Sequence, residues 1–257
     1  MKIKLYTLSH DINILKELSE NRFTQEEHAM VSERELGSTI YTTRNNLLRY
    51  YLPQSLKKFG SLSLLIEYIK ANKINNIISF GAGNCILEWF LKLCIPDHSV
   101  VIATDFDAYF IEKANNYFPE ISAKTYDFCK DDFKDFYKQL DVKIDLAIFF
   151  GSSYVMDDEE FIKLFSDLKK MEVNQVIDFN AGALDNKDIL MQYLKPVTTN
   201  TIFRKVFRKS RINKDYKGKF HGYSRDRREL NNLYIKSGWT INKGTSTEAY
   251  KYVAFLK

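Results

Sequence analysis

A chain of 257 residues with a net charge of +5, 45% hydrophobic and 28% charged, has enough apolar material for one large α/β domain around a buried core. Four prolines and ten glycines exclude a long low-complexity tract, and no apolar run reaches the ~20 residues that a membrane helix needs. Cys85, Cys94 and Cys129 include no CxxC pair, which excludes a zinc-finger type of site, and the opening Met-Lys-Ile-Lys-Leu-Tyr lacks the apolar core of a secretory signal, so a cytoplasmic protein with reduced thiols and no metal is expected.

Residues 1–70 read as helical. Leu15, Leu18 and Phe23, then Leu62, Leu65, Ile66 and Ile69, recur at three- and four-residue spacing. Pro53 separates two helical patterns or kinks one, and Gly60-Ser61 punctuates before the last of them. From Asn76 the rhythm changes to short apolar strands alternating with helices. Strands are expected at 77–80, 100–104, 122–126, 144–150 and 175–179, with helices at 84–94, 107–118, 131–140 and 157–171 between and after them. Such βαβ units imply a parallel sheet. A helix over 225–236, stopped by Gly238, then leads to consecutive strands at 239–245 and 250–256, which as neighbours are most easily antiparallel.

The strand ends carry the chemistry. The first strand runs through Gly81-Ala82-Gly83 into a helix, with Asn84 expected as its N-cap. A glycine turn at the carboxyl end of a buried strand is where open α/β sheets bind nucleotide-like ligands. The second strand ends at Asp105, 24 residues after Gly81, the third at Asp127-Phe128 and the fourth at Gly151-Ser152-Ser153-Tyr154. Asp105 and Asp107 compete as cap of the next helix, Asp127 also suits a turn, and Asp145 reads as a turn cap. A dinucleotide fingerprint is disfavoured because Ile86 stands where its third glycine belongs, and no GKS or GKT phosphate loop occurs. Between Arg204 and Arg228 the chain carries eleven Lys or Arg against two Asp, interleaved with aromatic residues, a stretch suited to an anionic partner.

Taken together, these motifs over roughly residues 70–257 resemble the class I S-adenosylmethionine-dependent methyltransferases. The resemblance implies a Rossmann-like, seven-stranded, mostly parallel sheet with an antiparallel last strand and helices on both faces. Residues 71–257 would be the cofactor-binding domain, with a basic insertion at 198–224, and residues 1–70 a helical cap or lid. It implies S-adenosyl-L-methionine as cofactor. Ser79, Gly81, Ala82 and Gly83 would face its methionine end, Asp105 and Phe106 its ribose, Asp127 and Phe128 its adenine, and Gly151 the sulfonium. Two positions depart from the family pattern: Ser79 replaces an acid expected two places before the first glycine, and Cys85 replaces a third glycine.

Methyl transfer needs alignment of donor and acceptor, with a base only where a hydroxyl must lose its proton. His221 and Tyr223 are the candidate bases, ahead of His28; Tyr41 and Arg44 in the polar stretch 37–46, with Ser152 and Tyr154, are expected to contact the acceptor. The absence of an Asn/Asp-Pro-Pro-Tyr/Phe motif and of a Pro-Cys nucleophile disfavours the amino-methylating and pyrimidine-C5 nucleic-acid enzymes. O-methylation of a small-molecule or glycan-type acceptor, preferably anionic, is therefore expected. The alternative is a methyltransferase-like module without catalysis that binds RNA or an anionic partner.

Overall fold

The computed structural model describes residues 2–7, 40–189 and 219–257. In its central strands consecutive side chains alternate between two apolar layers, as the two-residue period of a pleated strand requires. Ile77, Leu146, Ile148, Ile177, Val253 and Phe255 enter one layer, and Ile78, Phe80, Ala147, Phe149, Val176 and Ala254 the other. The strands are β2 (Asn76–Phe80), β3 (Val100–Asp105), β4 (Ser122–Thr125), β5 (Leu146–Phe150), β6 (Gln175–Asn180), β9 (Ile241–Thr245) and β10 (Tyr252–Leu256). They form one seven-stranded sheet in the order β4-β3-β2-β5-β6-β10-β9. Neighbours from β4 to β6 are parallel, and the last strand, β10, runs antiparallel to both β6 and β9.

Helices cover both faces. α1 (Arg44–Asn72), α2 (Ile86–Cys94) and α3 (Ala108–Tyr117) lie on the first layer through Leu62, Leu65, Ile69, Leu91 and Phe110. On the second, α4 (Phe133–Tyr137), α5 (Asp158–Lys170) and α6 (Arg227–Lys236) bring Phe133, Phe161, Phe165, Leu230 and Tyr234. Phe149 stacks on Phe165 at 5.0 Å between ring centroids, and Phe165 on Phe161 at 4.2 Å. Because β3 and β4 lie on one side of β2 while β5 and β6 lie on the other, the strand order reverses between β2 and β5. A crevice opens outside the carboxyl ends of strands at such a switch point. Among the described residues no helix is long and apolar enough to cross a membrane.

Two expectations for the N-terminal part are corrected. Arg44–Asn72 is one helix that passes through both Pro53 and Gly60. The proline is tolerated because Pro53 and Arg49, whose carbonyl loses its partner, are both exposed. Thr43 caps the helix by accepting from the Asn46 N–H at 3.2 Å, and Lys73 closes it in a left-handed conformation. Residues 2–7, read as helical, are instead strand β1 (Lys2–Thr7), antiparallel to β8 (Lys219–Asp226), which also pairs with β7 (Ala183–Leu184). The alternation Lys-Ile-Lys-Leu has a strand period that the helical reading passed over. The helix expected from residue 225 accordingly begins at Arg227, capped by Asp226. Leu15, Leu18, Phe23, His28, stretch 37–39 and most of the basic insertion at 198–224 lie outside the described residues.

Candidate functional site

At the switch point the turn after β2 is tied to β3. Ala82 N–H donates to the Thr104 carbonyl at 2.9 Å, and Gly83 N–H donates to Asp105 Oδ2 at 2.8 Å. Asp105 Oδ1 accepts the Asp107 N–H at 3.0 Å. Asp107 in turn caps α3 by accepting from Tyr109 N–H at 2.9 Å, so the cap is Asp107 and Asp105 belongs to the glycine turn. Asp105 is 6% exposed, and Phe106 beside it is half-buried.

The two glycines differ in what surrounds them. Gly81 has φ +66°, and a Cβ there would meet the Ser152 Cβ at 2.5 Å and the Phe128 ring at 3.3 Å. Gly83 has φ +56°, but a Cβ there would meet nothing within 4 Å. Gly81 therefore allows the turn to pack onto β5, whereas Gly83 faces open space. Cys85 also has a positive φ, +59°, at the N-cap of α2, which is why a glycine suits that position. Asn84 is not the cap; its Oδ1 accepts from the Ile86 N–H at 3.2 Å.

Phe128 reaches the turn edge-on to Phe80, which joins the end of β4 to the end of β2. Asp127 is held in a turn of its own: its Oδ1 accepts the Cys129 N–H at 3.0 Å, and Lys130 lies 3.3 Å from its carboxylate. Asp145 accepts from the Asn75 and Asn76 N–H groups, the structural cap the sequence suggests. Across the crevice Gly151 has φ +74° and lies against the Tyr250 ring, while the Ser152 hydroxyl donates to the Phe80 carbonyl. Ser79, Gly81, Ala82, Gly83, Asp105, Phe106, Phe128, Gly151 and Ser152 thus come together at the ends of β2, β3, β4 and β5.

The remaining candidates are held by contacts of their own. Tyr154 is packed between Gly182 and Gly222, where a Cβ on either glycine would come within 2.7 Å of it, and burial pushes its phenol up to about 12. It is a clamp between β5 and the three-stranded sheet. Tyr223, in β8, has Lys2 and Arg225 over its ring at 4.3 and 4.8 Å. Arg44 stacks on Trp89 of α2 and on Phe118, just past α3, at 4.5 and 5.4 Å, and lies 3.9 Å from Glu120 in the following turn. The backbones of Tyr41 and His221 are placed, but their side chains lie outside the described residues.

Sequence reasoning missed Glu88. It sits in the first turn of α2, 1% exposed, and its Oε1 accepts the Ser79 hydroxyl at 2.7 Å. A lone acid inside Ile-Leu-Glu-Trp-Phe-Leu was the available signal. Desolvation pushes its carboxyl up to about 7, against the Ser79 hydrogen bond that favours the charged form. The unfolded carboxyl titrates near 4.5, so between those values the folded protein holds a proton that the unfolded chain has lost. Stability therefore falls as pH rises through that window, by about 3 kcal/mol in all. Glu88→Gln is expected to flatten this slope; urea titrations at several pH values that leave the slope unchanged would refute the assignment.

No protein-family model and no curated protein sequence matches the chain. Similar solved structures include magnesium protoporphyrin IX methyltransferase from Synechocystis PCC 6803 with bound SAH, at 15% identity and TM-score 0.51, covering 76% of this chain and 80% of that one. The S-adenosylmethionine-dependent methyltransferase SibL in its apo form is similar at 15% identity and TM-score 0.56, with 95% and 64% covered. Human N-acetylserotonin methyltransferase in complex with SAM follows at 16% identity and TM-score 0.53, with 91% and 62% covered. The chain spans less than two thirds of the length of these last two. With its strand order, antiparallel final strand and glycine turn at the switch point, the chain has the Rossmann-like fold of the class I S-adenosylmethionine-dependent methyltransferases.

Proposed function

We propose that the protein is a cytoplasmic S-adenosylmethionine-dependent methyltransferase acting on a hydroxyl of a small-molecule or glycan-type, anionic acceptor. The observation that carries this reading is the Gly83 turn, open above its Cα and hydrogen-bonded to the carboxylate that ends the adjacent strand. The residues present fit the cofactor. Gly83 leaves room for close approach, Asp105 is an oriented acceptor for a vicinal diol, Phe128 offers an aromatic edge, and Glu88 holds a buried carboxylate oxygen without a partner.

When bound, the cofactor supplies a methyl group on a sulfonium that is already a good leaving group. The chain has to hold donor and acceptor in line and keep water out. Ser79, Gly81, Ala82, Gly83, Asp105, Phe106, Asp127 and Phe128 would hold the cofactor, and Gly151 would border the reacting end. His221 and Tyr223, from β8, are proposed to take the acceptor proton, and the polar stretch with Tyr41 and Arg44 to cover the acceptor as part of an N-terminal cap. The basic insertion supports an anionic acceptor by its charge alone. Ser79, uncharged where the family pattern has an acid, is bonded to the Glu88 carboxyl, which supports the enzyme reading over the non-catalytic one.

Calorimetric titration with S-adenosylmethionine and S-adenosylhomocysteine tests the proposal, and absence of binding to either sinks it. Asp105→Asn removes a charged acceptor of the Gly83 N–H or its neighbour, and the affinity for both is expected to fall by roughly tenfold or more.

A further inference from the structure

The end of β2 bears no acid, yet a carboxylate reaches it from another element. Glu88 Oε1 is bonded to Ser79, while Oε2 is buried without a partner. Tyr250, 3% exposed in the connection between β9 and β10, has a hydroxyl likewise buried without one, and its ring lies against Gly151. The groups facing Glu88 come from several elements: Lys58 on α1, Asp105 at the end of β3, Cys85 at the head of α2, and Tyr250. Lys58 favours its charge and Asp105 opposes it, both through space only. Among the described residues no Lys or Arg closes an ion pair with Glu88. Buried acceptors left half-used are costly, and a native fold that keeps them has a use for them.

We propose that Glu88, fastened to the end of β2 by Ser79, is the counter-charge for the α-ammonium of the bound ligand, with the Tyr250 hydroxyl as a further acceptor. The inference rests on the S-adenosylmethionine reading and supplies from α2 the charge that Ser79 lacks. It has a proton balance. Below about pH 7 Glu88 is a neutral acid, so an arriving ammonium converts it to the carboxylate, and the displaced proton passes to the buffer. An α-amino group is itself still protonated there, its ordinary value being about 8.

S-adenosylhomocysteine titrated in two buffers of different ionisation enthalpy reads this directly. At about pH 6 close to one proton should leave per ligand bound, and affinity should rise toward tenfold per pH unit before levelling near pH 7. Glu88→Gln has the shape of the neutral acid, and should bind at least tenfold more weakly at about pH 8 with no proton released. Methylthioadenosine, which keeps the nucleoside and thioether but has no ammonium, should bind both proteins alike at every pH. Should Glu88→Gln fail to fold, proton release by the unaltered protein and its absence with methylthioadenosine still decide the matter. S-adenosylhomocysteine binding without proton release, or equal affinities for Glu88→Gln and the unaltered protein, would overturn the inference and leave the cofactor reading standing. No binding of S-adenosylhomocysteine at all overturns both.

Discussion

Gly81→Ala is expected to destabilise the protein by about 4 kcal/mol and to lower S-adenosylhomocysteine affinity beyond detection. A non-glycine residue in the left-handed region costs roughly 1–2 kcal/mol. The new methyl would also sit 2.5 Å from the Ser152 Cβ, with the Phe128 ring and the Ser152 hydroxyl closing the other sides. Ser152 cannot step aside freely, because its hydroxyl is bonded to the buried Phe80 carbonyl at the end of β2. Moving it leaves that acceptor unsatisfied, at about 1–3 kcal/mol, and overpacking contributes about as much. Gly83→Ala is the contrasting variant. Its conformational strain is similar, but the methyl meets nothing within 4 Å, so stability should fall by only about 1 kcal/mol. Binding should nonetheless collapse, since the methyl occupies the space proposed for the ligand. Thermal unfolding and calorimetry on both variants check this. Equal stability losses for the two, or Gly83→Ala binding like the unaltered protein, would contradict the division of labour.

That division shows what a sequence can and cannot carry. The apolar runs of β2, β3, β5 and β6 and the helices between them were legible because burial of both sheet faces leaves few polar residues within each of these strands. The end of each strand was legible too, since Gly81, Asp105, Asp127 and Gly151 interrupt those runs. The partners of these residues were not. That Gly81 meets Ser152 depends on β5 lying next to β2, a choice made by the crossover rather than by local pattern. Asp105 and Asp107 were equivalent as caps on paper, and only the direction of the Gly83 N–H separates them. Glu88 was hidden by its setting, because an acid in an apolar helix gives no hint of which face of the molecule it turns toward. Strand β1 was missed for the same kind of reason. Its pairing partner, β8, lies at the other end of the chain, and a six-residue strand has too few periods to outweigh the helical spacing read in the sequence after it.

Arg225→Ala tests how firmly the side of the crevice proposed for the acceptor is held. Arg225 lies in β8 and is 1% exposed. Its Nε and Nη2 donate to Asp158 Oδ1 at 3.1 and 2.8 Å, and Nη2 also reaches the Met156 carbonyl at 2.8 Å. Its backbone N–H donates to the Gly182 carbonyl at 3.0 Å. One side chain therefore binds the three-stranded sheet to the turn after β5 in which Tyr154 is clamped. Arg225 is buried while 41% of the Asp158 side chain is exposed, so the loss comes from the groups built around the guanidinium rather than from a stranded carboxylate. Here the Met156 carbonyl loses its donor, Asp178 in the second apolar layer loses the nearby positive field, and a large cavity opens. The expected loss is about 4 kcal/mol. Arg225→Met fills most of the volume without the charge and should recover about half, since the cavity is refilled and the half-exposed Asp158 is left to water. Lys2, which shares Asp158 at 2.9 Å but is partly exposed, should cost under about 1 kcal/mol when changed to Ala. Denaturant unfolding ranks the three, and Arg225→Ala falling within about 1 kcal/mol of the unaltered protein would show that β8 is held by its strand pairing alone. Among the described residues no hydrogen bond links Asp158 or Met156 to the glycine turn, so the Ala variant, at temperatures where it stays folded, should bind S-adenosylhomocysteine unchanged. Loss of methyl transfer with cofactor affinity intact would then locate the acceptor beside β8.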